Sequence, residues 1–313
     1  MTEEKITLGT EYPLNGLLTL PDNTNSPVPA CVLVHGSGSS DMNEHIGKVY
    51  PFRDIASELA LHGIACLRYD KRSYTHGRRM LKEKKLITVK EETIEDAIKA
   101  ADLLRSDPRI DSERIYVIGH SMGAMLAPRI DAEGGNFRGL ILMAGSPYTL
   151  PDILIRQFDE LASKSNFLLK AVIRKQKEKY EQLFADLETM SDEDAKKKNM
   201  GGGTTLYYFK EMNSHPAMDF LQNTEKPVLI MQGGKDCQVL AEKDFAAFRE
   251  LLAGRNNTFF KLYPELDHAF VKAIYGDITK VSKEYKVERH IGKKVFRDIT
   301  EFIRQNDDSQ RVD

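Results

Sequence analysis

Three cysteines in 313 residues are too few, and odd in number, to staple a small secreted fold. Cys31, Cys66 and Cys237 stand in no metal-ligand spacing, so they read as reduced thiols. Charge of one sign is also lacking: 45 Lys and Arg face 47 Asp and Glu, a net charge of -2. Those charges are scattered along the chain, which gives no phosphate-tracking stripe and no pull towards an anionic membrane. Long apolar runs are absent. The longest, such as Gly139-Leu140-Ile141-Leu142-Met143, fall far short of the ~20 residues a membrane span requires. The opening Met1-Thr2-Glu3-Glu4-Lys5 lacks the basic and apolar regions of a secretory signal. These absences lead us to expect a cytoplasmic protein with no nucleic-acid partner and no membrane span, and they leave self-association into a homo-oligomer open. There is no internal repeat and no low-complexity stretch.

What is present is a large apolar fraction, 41%, in a chain long enough for one α/β domain carrying an insertion. Lys5 to Leu20 reads as two short strands around a turn at Pro13-Leu14-Asn15-Gly16. A loop through Pro21-Asp22-Asn23-Thr24-Asn25-Ser26-Pro27 separates this hairpin from a buried strand, Ala30 to Val34. A helix from about Phe52 to Leu61 follows, ended by Gly63, and then a strand from Ile64 to Tyr69. A helix from Glu92 to Leu104, a strand from Arg114 to Ile118, a helix after Ser121 and a strand from Leu140 to Ala144 continue the alternation. Strands alternating with helices predict a mostly parallel sheet covered on both faces.

The rhythm breaks over residues 151–222, which carry no strand-like run. Ile153 to Leu187 has one or two amphipathic helices, with Leu154, Phe158, Leu161, Leu168 and Val172 near helical spacing. Asp192 to Lys198 is a charge run expected on a solvated face, and Gly201-Gly202-Gly203 is expected to be a hinge. Strand rhythm resumes at Pro227 to Gln232, with a helix from Ala241 to Leu252, a strand from Thr258 to Leu262 and a last helix from Lys293 to Arg304. Residues 1–150 and 223–313 are therefore expected to form one core, and 151–222 an inserted helical cap.

The chemistry is carried by Gly119-His120-Ser121-Met122-Gly123, placed between a β-branched run and a helix-forming segment. A sharp strand-to-helix turn would lift the Ser121 hydroxyl clear of the sheet, and the two glycines leave room for it. A serine hydroxyl is a weak nucleophile and needs a base that is itself oriented by an acid. Loops after later strands supply both: Gly233-Gly234-Lys235-Asp236 the acid, and Asp267-His268-Ala269-Phe270 the base. Asp267 and Glu265 compete with Asp236, but Asp267 adjoins His268 and would fold back to its Nδ1 with difficulty; Asp236 is preferred. Two N–H donors are needed for an oxyanion. Met122 follows the nucleophile, and Ser37 lies in the loop His35-Gly36-Ser37-Gly38 after the first central strand. His35 is expected to brace that loop. A phosphate cradle at Gly36-Ser37-Gly38 is the rival reading, and it lacks the Lys and the third glycine that such motifs use.

These pieces resemble the α/β-hydrolase superfamily, and within it bacterial serine esterases of the dienelactone-hydrolase-like and serine-aminopeptidase-like type. The likeness rests on His35-Gly36-Ser37-Gly38, Arg68-Tyr69-Asp70-Lys71-Arg72, Gly119-His120-Ser121-Met122-Gly123, Gly233-Gly234-Lys235-Asp236 and Asp267-His268-Ala269-Phe270, with nothing matched in the cap. It departs at Ser73-Tyr74, where relatives carry small glycine-rich residues. The resemblance implies an α/β-hydrolase fold with an amino-terminal β-hairpin and a cap. It also implies a small-molecule carboxylic ester as substrate, no cofactor and no metal. Ser121 would be nucleophile, His268 base and Asp236 its partner. Asp70, Lys71 and Arg72 are read as a structural polar cluster. The same triad would serve a thioesterase, an amidase or peptidase, or an acyltransferase, and a non-catalytic binding protein on this fold is the remote alternative.

Overall fold

A computed structural model describes every residue except Asn23, Lys84, Gly202 and 309–313, and the side chain of Asp308. Its strands are β1 Thr2–Leu8, β2 Leu14–Leu20, β3 Val28–Val34, β4 Ala65–Tyr69, β5 Ile110–His120, β6 Leu140–Met143, β7 Asn199–Gly201, β8 Thr204–Thr205, β9 Val228–Gly233 and β10 Thr258–Tyr263. Eight of them form one sheet in the order β1-β2-β4-β3-β5-β6-β9-β10. From β4 to β10 all neighbours are parallel, while β1 and β2 run antiparallel at one edge.

The parallel strands are continuous apolar runs because helices cover both faces. Val32, Val34, Leu67 and Val117 point into one core with Ala97 and Leu126. Their neighbours Cys31, Leu33, Cys66 and Ile118 point into the other with Phe52 and Ile299. This period of two divides each strand between two layers. Each fully buried Leu or Ile contributes about 1.5–3 kcal/mol relative to an exposed one. The helix Pro51–Leu61 starts on Pro51, whose fixed φ suits a first turn, and Gly63 at φ 83° releases the chain towards β4.

Three local readings change. The amino-terminal hairpin turns at residues 9–13 instead of Pro13–Gly16. Gly9 supplies the positive φ of 76°, and Asn15 and Gly16 are already paired with Thr7 and Ile6. A helix at Arg72–Lys82 goes unseen in the sequence, because only Arg72 and Met80 of it are buried and it shows no apolar stripe. The inserted segment holds a small antiparallel ribbon, β7 with β8, where no strand was expected. The hinge assigned to Gly201-Gly202-Gly203 falls at this ribbon, and Gly202 lies outside the described residues.

Between β6 and β9 the chain runs through helices Leu150–Ser163, Phe167–Ala185, Asp192–Lys197, Leu206–Asn213 and Ala217–Asn223. Thr149 opens the first with a reciprocal capping box to Asp152, and Asn166 caps the second. Leu168 and Val172, expected on an apolar inner face, are exposed, as is Phe167 at 85%. Ile173 is the buried position of that helix. Arg129, on the helix Met122–Ile130, reaches Glu211 in the inserted segment at 2.6 Å.

Candidate active site

The strand β5 runs into the helix Met122–Ile130 with one residue between, and that residue is Ser121 at φ 54°, ψ −119°. A side chain in that region costs of order 1–3 kcal/mol and persists only where its surroundings force it. They do so here. Ser121 N–H donates to the Met143 carbonyl at 2.8 Å, from the end of β6. A Cβ on Gly119 would overlap the Gly123 carbonyl, and one on Gly123 would overlap the carbonyl of Val34. Both glycines are therefore required for the turn to pass so close to β3. Met122 is the first residue of the helix, and its N–H has no carbonyl a turn earlier to bond.

The loop after β3 lies directly on this turn. A Cβ on Gly36 would stand 3.1 Å from the Ser121 Cβ, so the peptide carrying the Ser37 N–H adjoins Ser121. His35 is buried beneath it with Nε2 3.0 Å from the Asp41 carbonyl. Burial, only partly opposed by Glu44, lowers its pKa to about 4, so it is neutral and braces the loop.

On the same sheet edge, Asp236 follows β9 and His268 follows β10. His268 Nδ1 is 2.7 Å from Asp236 Oδ2, with both side chains buried. Asp236 Oδ1 accepts the backbone N–H groups of Gln238 (2.8 Å) and Val239 (3.0 Å), and Oδ2 also accepts Gln232 Nε2 (2.9 Å). Asp267 faces elsewhere. Its Oδ1 accepts from Ala269 N–H (3.0 Å) and Val271 N–H (3.3 Å), and its Oδ2 is 3.7 Å from Arg289. Burial, against the pull of Arg289, pushes the Asp267 carboxyl up to about 7.

Two residues that sequence reasoning passed over connect these loops. His120 Nε2 lies 2.8 Å from the His268 carbonyl, and Nδ1 lies 3.0 Å from Glu44 Oε2. Burial disfavours its charge, but the adjacent Glu44 carboxylate more than reverses that and lifts His120 to about 8. Burial alone would raise Glu44; His120 holds it below the ordinary range. His120 donates from Nε2 to the His268 carbonyl and forms an ion pair through Nδ1 with the Glu44 carboxylate, which ties the His268 backbone to the elbow. The available signal was a histidine inside the pentapeptide at the buried end of a strand. Glu44 sits in an irregular loop and gave none. The cluster read as structural is also buried: Asp70 accepts from Met42 N–H, Lys71 donates to the Gly36 carbonyl, and Arg72 pairs with Asp96.

A strained serine between β5 and its helix, with a paired acid and imidazole on the loops after β9 and β10, defines an α/β-hydrolase. Residues 25–272 match the family described as serine aminopeptidase, S33, and the chain belongs to that family. Esterase EstD of Thermotoga maritima is 32% identical over 290 residues, covering 93% of this chain and 65% of that protein. The chain thus spans about 65% of the length of this curated relative. Among solved structures, Est1E of Butyrivibrio proteoclasticus superposes with a TM-score of 0.58 at 16% identity, over 96% of this chain and 98% of its own. The esterase PF2001 of Pyrococcus furiosus gives 0.57 at 17% identity, over 97% and 91%. At such identities these two structures speak to the fold. Among the described residues no helix is long and apolar enough to cross a membrane, and no three His, Cys, Asp or Glu side chains gather as a metal site.

Proposed function

We propose that this chain hydrolyses carboxylic esters through an acyl-enzyme. Ser121 attacks the carbonyl while His268 takes its proton, and the N–H groups of Ser37 and Met122 receive the oxyanion. His268 then protonates the leaving alcohol, and water, activated by the same imidazole, releases the acid. Asp236 holds His268 with Nδ1–H towards the carboxylate, which leaves Nε2 free to accept. The observation that carries this reading is the 2.7 Å Asp236–His268 pair on the sheet edge where Ser121 is held at positive φ. The likeness to an esterase over 93% of the chain supports the ester as substrate class. No cofactor enters these steps.

Residues 151–222 would act as a cap that selects the small-molecule ester. Support comes from its seat on the nucleophile helix, through Arg129–Glu211 and through Tyr208, whose hydroxyl lies 3.5 Å from Met122 Sδ. A reducing, cytoplasmic setting is supported by three cysteines that are all free. An amidase or aminopeptidase is the second reading, favoured by membership of the serine aminopeptidase family. The triad serves either, because it fixes chemistry at the carbonyl and not the leaving group.

The test is a side-by-side assay of a short-chain p-nitrophenyl ester and an aminoacyl p-nitroanilide with wild type and Ser121→Ala. Ester turnover that falls by several orders of magnitude in the variant is the expected result. Near-native ester turnover by Ser121→Ala sinks the proposal, and faster wild-type cleavage of the anilide transfers it to the second reading.

A further inference from the structure

The two peptides that meet at the Gly36 Cα are each held by a buried side chain. Gly36 N–H donates to Glu44 Oε1 at 2.9 Å, and the Gly36 carbonyl accepts from Lys71 Nζ at 2.8 Å. Lys71 follows β4 and is 1% exposed. Its backbone N–H also bonds the Ser40 carbonyl at 3.0 Å, closing the far end of the same loop. Nζ stands 3.5 Å from Glu92 Oε2, and that oxygen accepts from the Tyr208 hydroxyl at 2.8 Å. A chain of polar contacts therefore runs from the inserted segment, through Glu92 and Lys71, to one loop carbonyl.

That carbonyl belongs to the same peptide as the Ser37 N–H. The chain has no cis peptide bond among the described residues, so the two groups lie in one plane and point in opposite directions within it. Holding the oxygen fixes the direction of the hydrogen. Without the hold this peptide is easily rotated, because glycine on its amino-terminal side places no Cβ restraint on ψ. A buried ammonium is also costly, by several kcal/mol before its partners compensate. The charge at Lys71 calls for a reason of its own, and the atom it touches supplies one.

We propose that Lys71 is a positioning residue for the oxyanion site: it locks the Gly36–Ser37 peptide with Ser37 N–H towards the reacting carbonyl, and Tyr208 holds Lys71 there through Glu92. This rests on the reading of Ser121 as nucleophile and Ser37 as donor. Lys71 touches no reacting atom. It acts when the oxyanion forms, since a misdirected N–H weakens the tetrahedral state more than the bound ester.

The experiment compares Lys71→Met, Tyr208→Phe and Ser121→Ala with wild type on a p-nitrophenyl ester, with active sites titrated and folding checked by circular dichroism and thermal midpoint. For Lys71→Met, kcat per titrated site falls about 10- to 100-fold while KM stays within about threefold. Affinity for a boronic acid, which forms a tetrahedral adduct, falls by the same factor, and inhibition by the product carboxylate does not change. Tyr208→Phe shows the same pattern with a loss of about two- to fivefold, and it carries the test should Lys71→Met fail to fold. Folded variants with wild-type kcat per site, or with boronate and carboxylate affinities lost together, overturn the inference. An active Ser121→Ala overturns instead the reading beneath it, whatever the other two variants do.

Discussion

Replacing Asp236 with Asn changes one atom and should disable the base. Oδ1 sits between two backbone donors, Gln238 and Val239, at 2.8 and 3.0 Å. The amide must keep its oxygen there, since the reverse orientation sets an NH2 against both N–H groups. The NH2 then takes the place of Oδ2, facing His268 Nδ1 and Gln232 Nε2. Gln232 cannot simply flip to relieve this, because its Nε2 also bonds the carbonyls of Gly233 (3.3 Å) and Val239 (3.0 Å). His268 is left to accept at Nδ1 and so carries its proton on Nε2, where it cannot take one from Ser121. A wrong tautomer at the equivalent position of the well-studied triad lowers kcat by ~10⁴, which at 1.36 kcal/mol per tenfold is about 5.5 kcal/mol of transition-state stabilisation. The assay is kcat for a p-nitrophenyl ester at pH 7 on enzyme shown folded by near-ultraviolet circular dichroism. A folded Asp236→Asn variant within tenfold of wild type would refute the reasoning and hand the orienting role to another carboxylate.

Two further substitutions test the surroundings of the elbow. Gly123→Ala should destabilise the protein by about 3 kcal/mol or more, because the added Cβ meets the backbone carbonyls of Val34 and His35 and not a movable side chain. A urea midpoint equal to that of wild type would remove the steric argument. Asp267→Asn should leave kcat within about tenfold and change the pH dependence of stability. The carboxyl rises to about 7 in the folded protein, above its unfolded value near ~3.9. Its protonated form is therefore favoured by folding: the contribution is complete below the unfolded value and is lost as pH rises through about 7. Relative to wild type, the Asn variant should gain more than about 1 kcal/mol between pH 4.5 and 8. A constant difference in urea unfolding free energy across that range would contradict it.

Why some of this could be read from the chain and some could not follows from the range of each signal. Ala30 to Val34 and Ala65 to Tyr69 are buried on both faces, so their apolar runs are local and legible. The elbow is legible for the same reason: its glycines, its serine and the flanking strand and helix lie within a few residues. Asp236 and His268 stand out as candidates by their places after strands, which the alternation had already ordered. The Glu44–His120 pair does not, because its partners are distant in sequence and neither has a pattern. The helix Arg72–Lys82 hides for a different reason: with so few inward residues it has almost no periodicity to detect. Leu168 and Val172 share a helical spacing with core positions, yet spacing cannot say which face another element will cover, and both are exposed. Lys71 and Tyr208 were visible as residues but not as neighbours of Glu92, a meeting that only the packed inserted segment brings about.

Asp236 bonds the His268 imidazole, Asp267 adjoins His268 in the chain and Glu44 reaches the His268 backbone only through His120, and their surroundings give the three carboxylates different tasks. Asp267 adjoins His268 in sequence, but its Oδ1 is used by the N–H groups of Ala269 and Val271, so it shapes the loop that carries His268. Glu44 is kept ionised by His120 and accepts the Gly36 N–H, so it links the loop after β3 to the residue before Ser121. Only Asp236 presents an oxygen to His268 Nδ1, with its other oxygen fixed by two backbone donors. The division follows from hydrogen-bond supply: each carboxylate is held by donors that leave it one direction in which to act. Adjacency to His268 counts against Asp267, which would have to fold back; the direction in which its donors hold each carboxylate, with Asp267 Oδ1 turned to Ala269 and Val271 and Asp236 Oδ2 turned to His268, marks Asp236 as the candidate orienting acid.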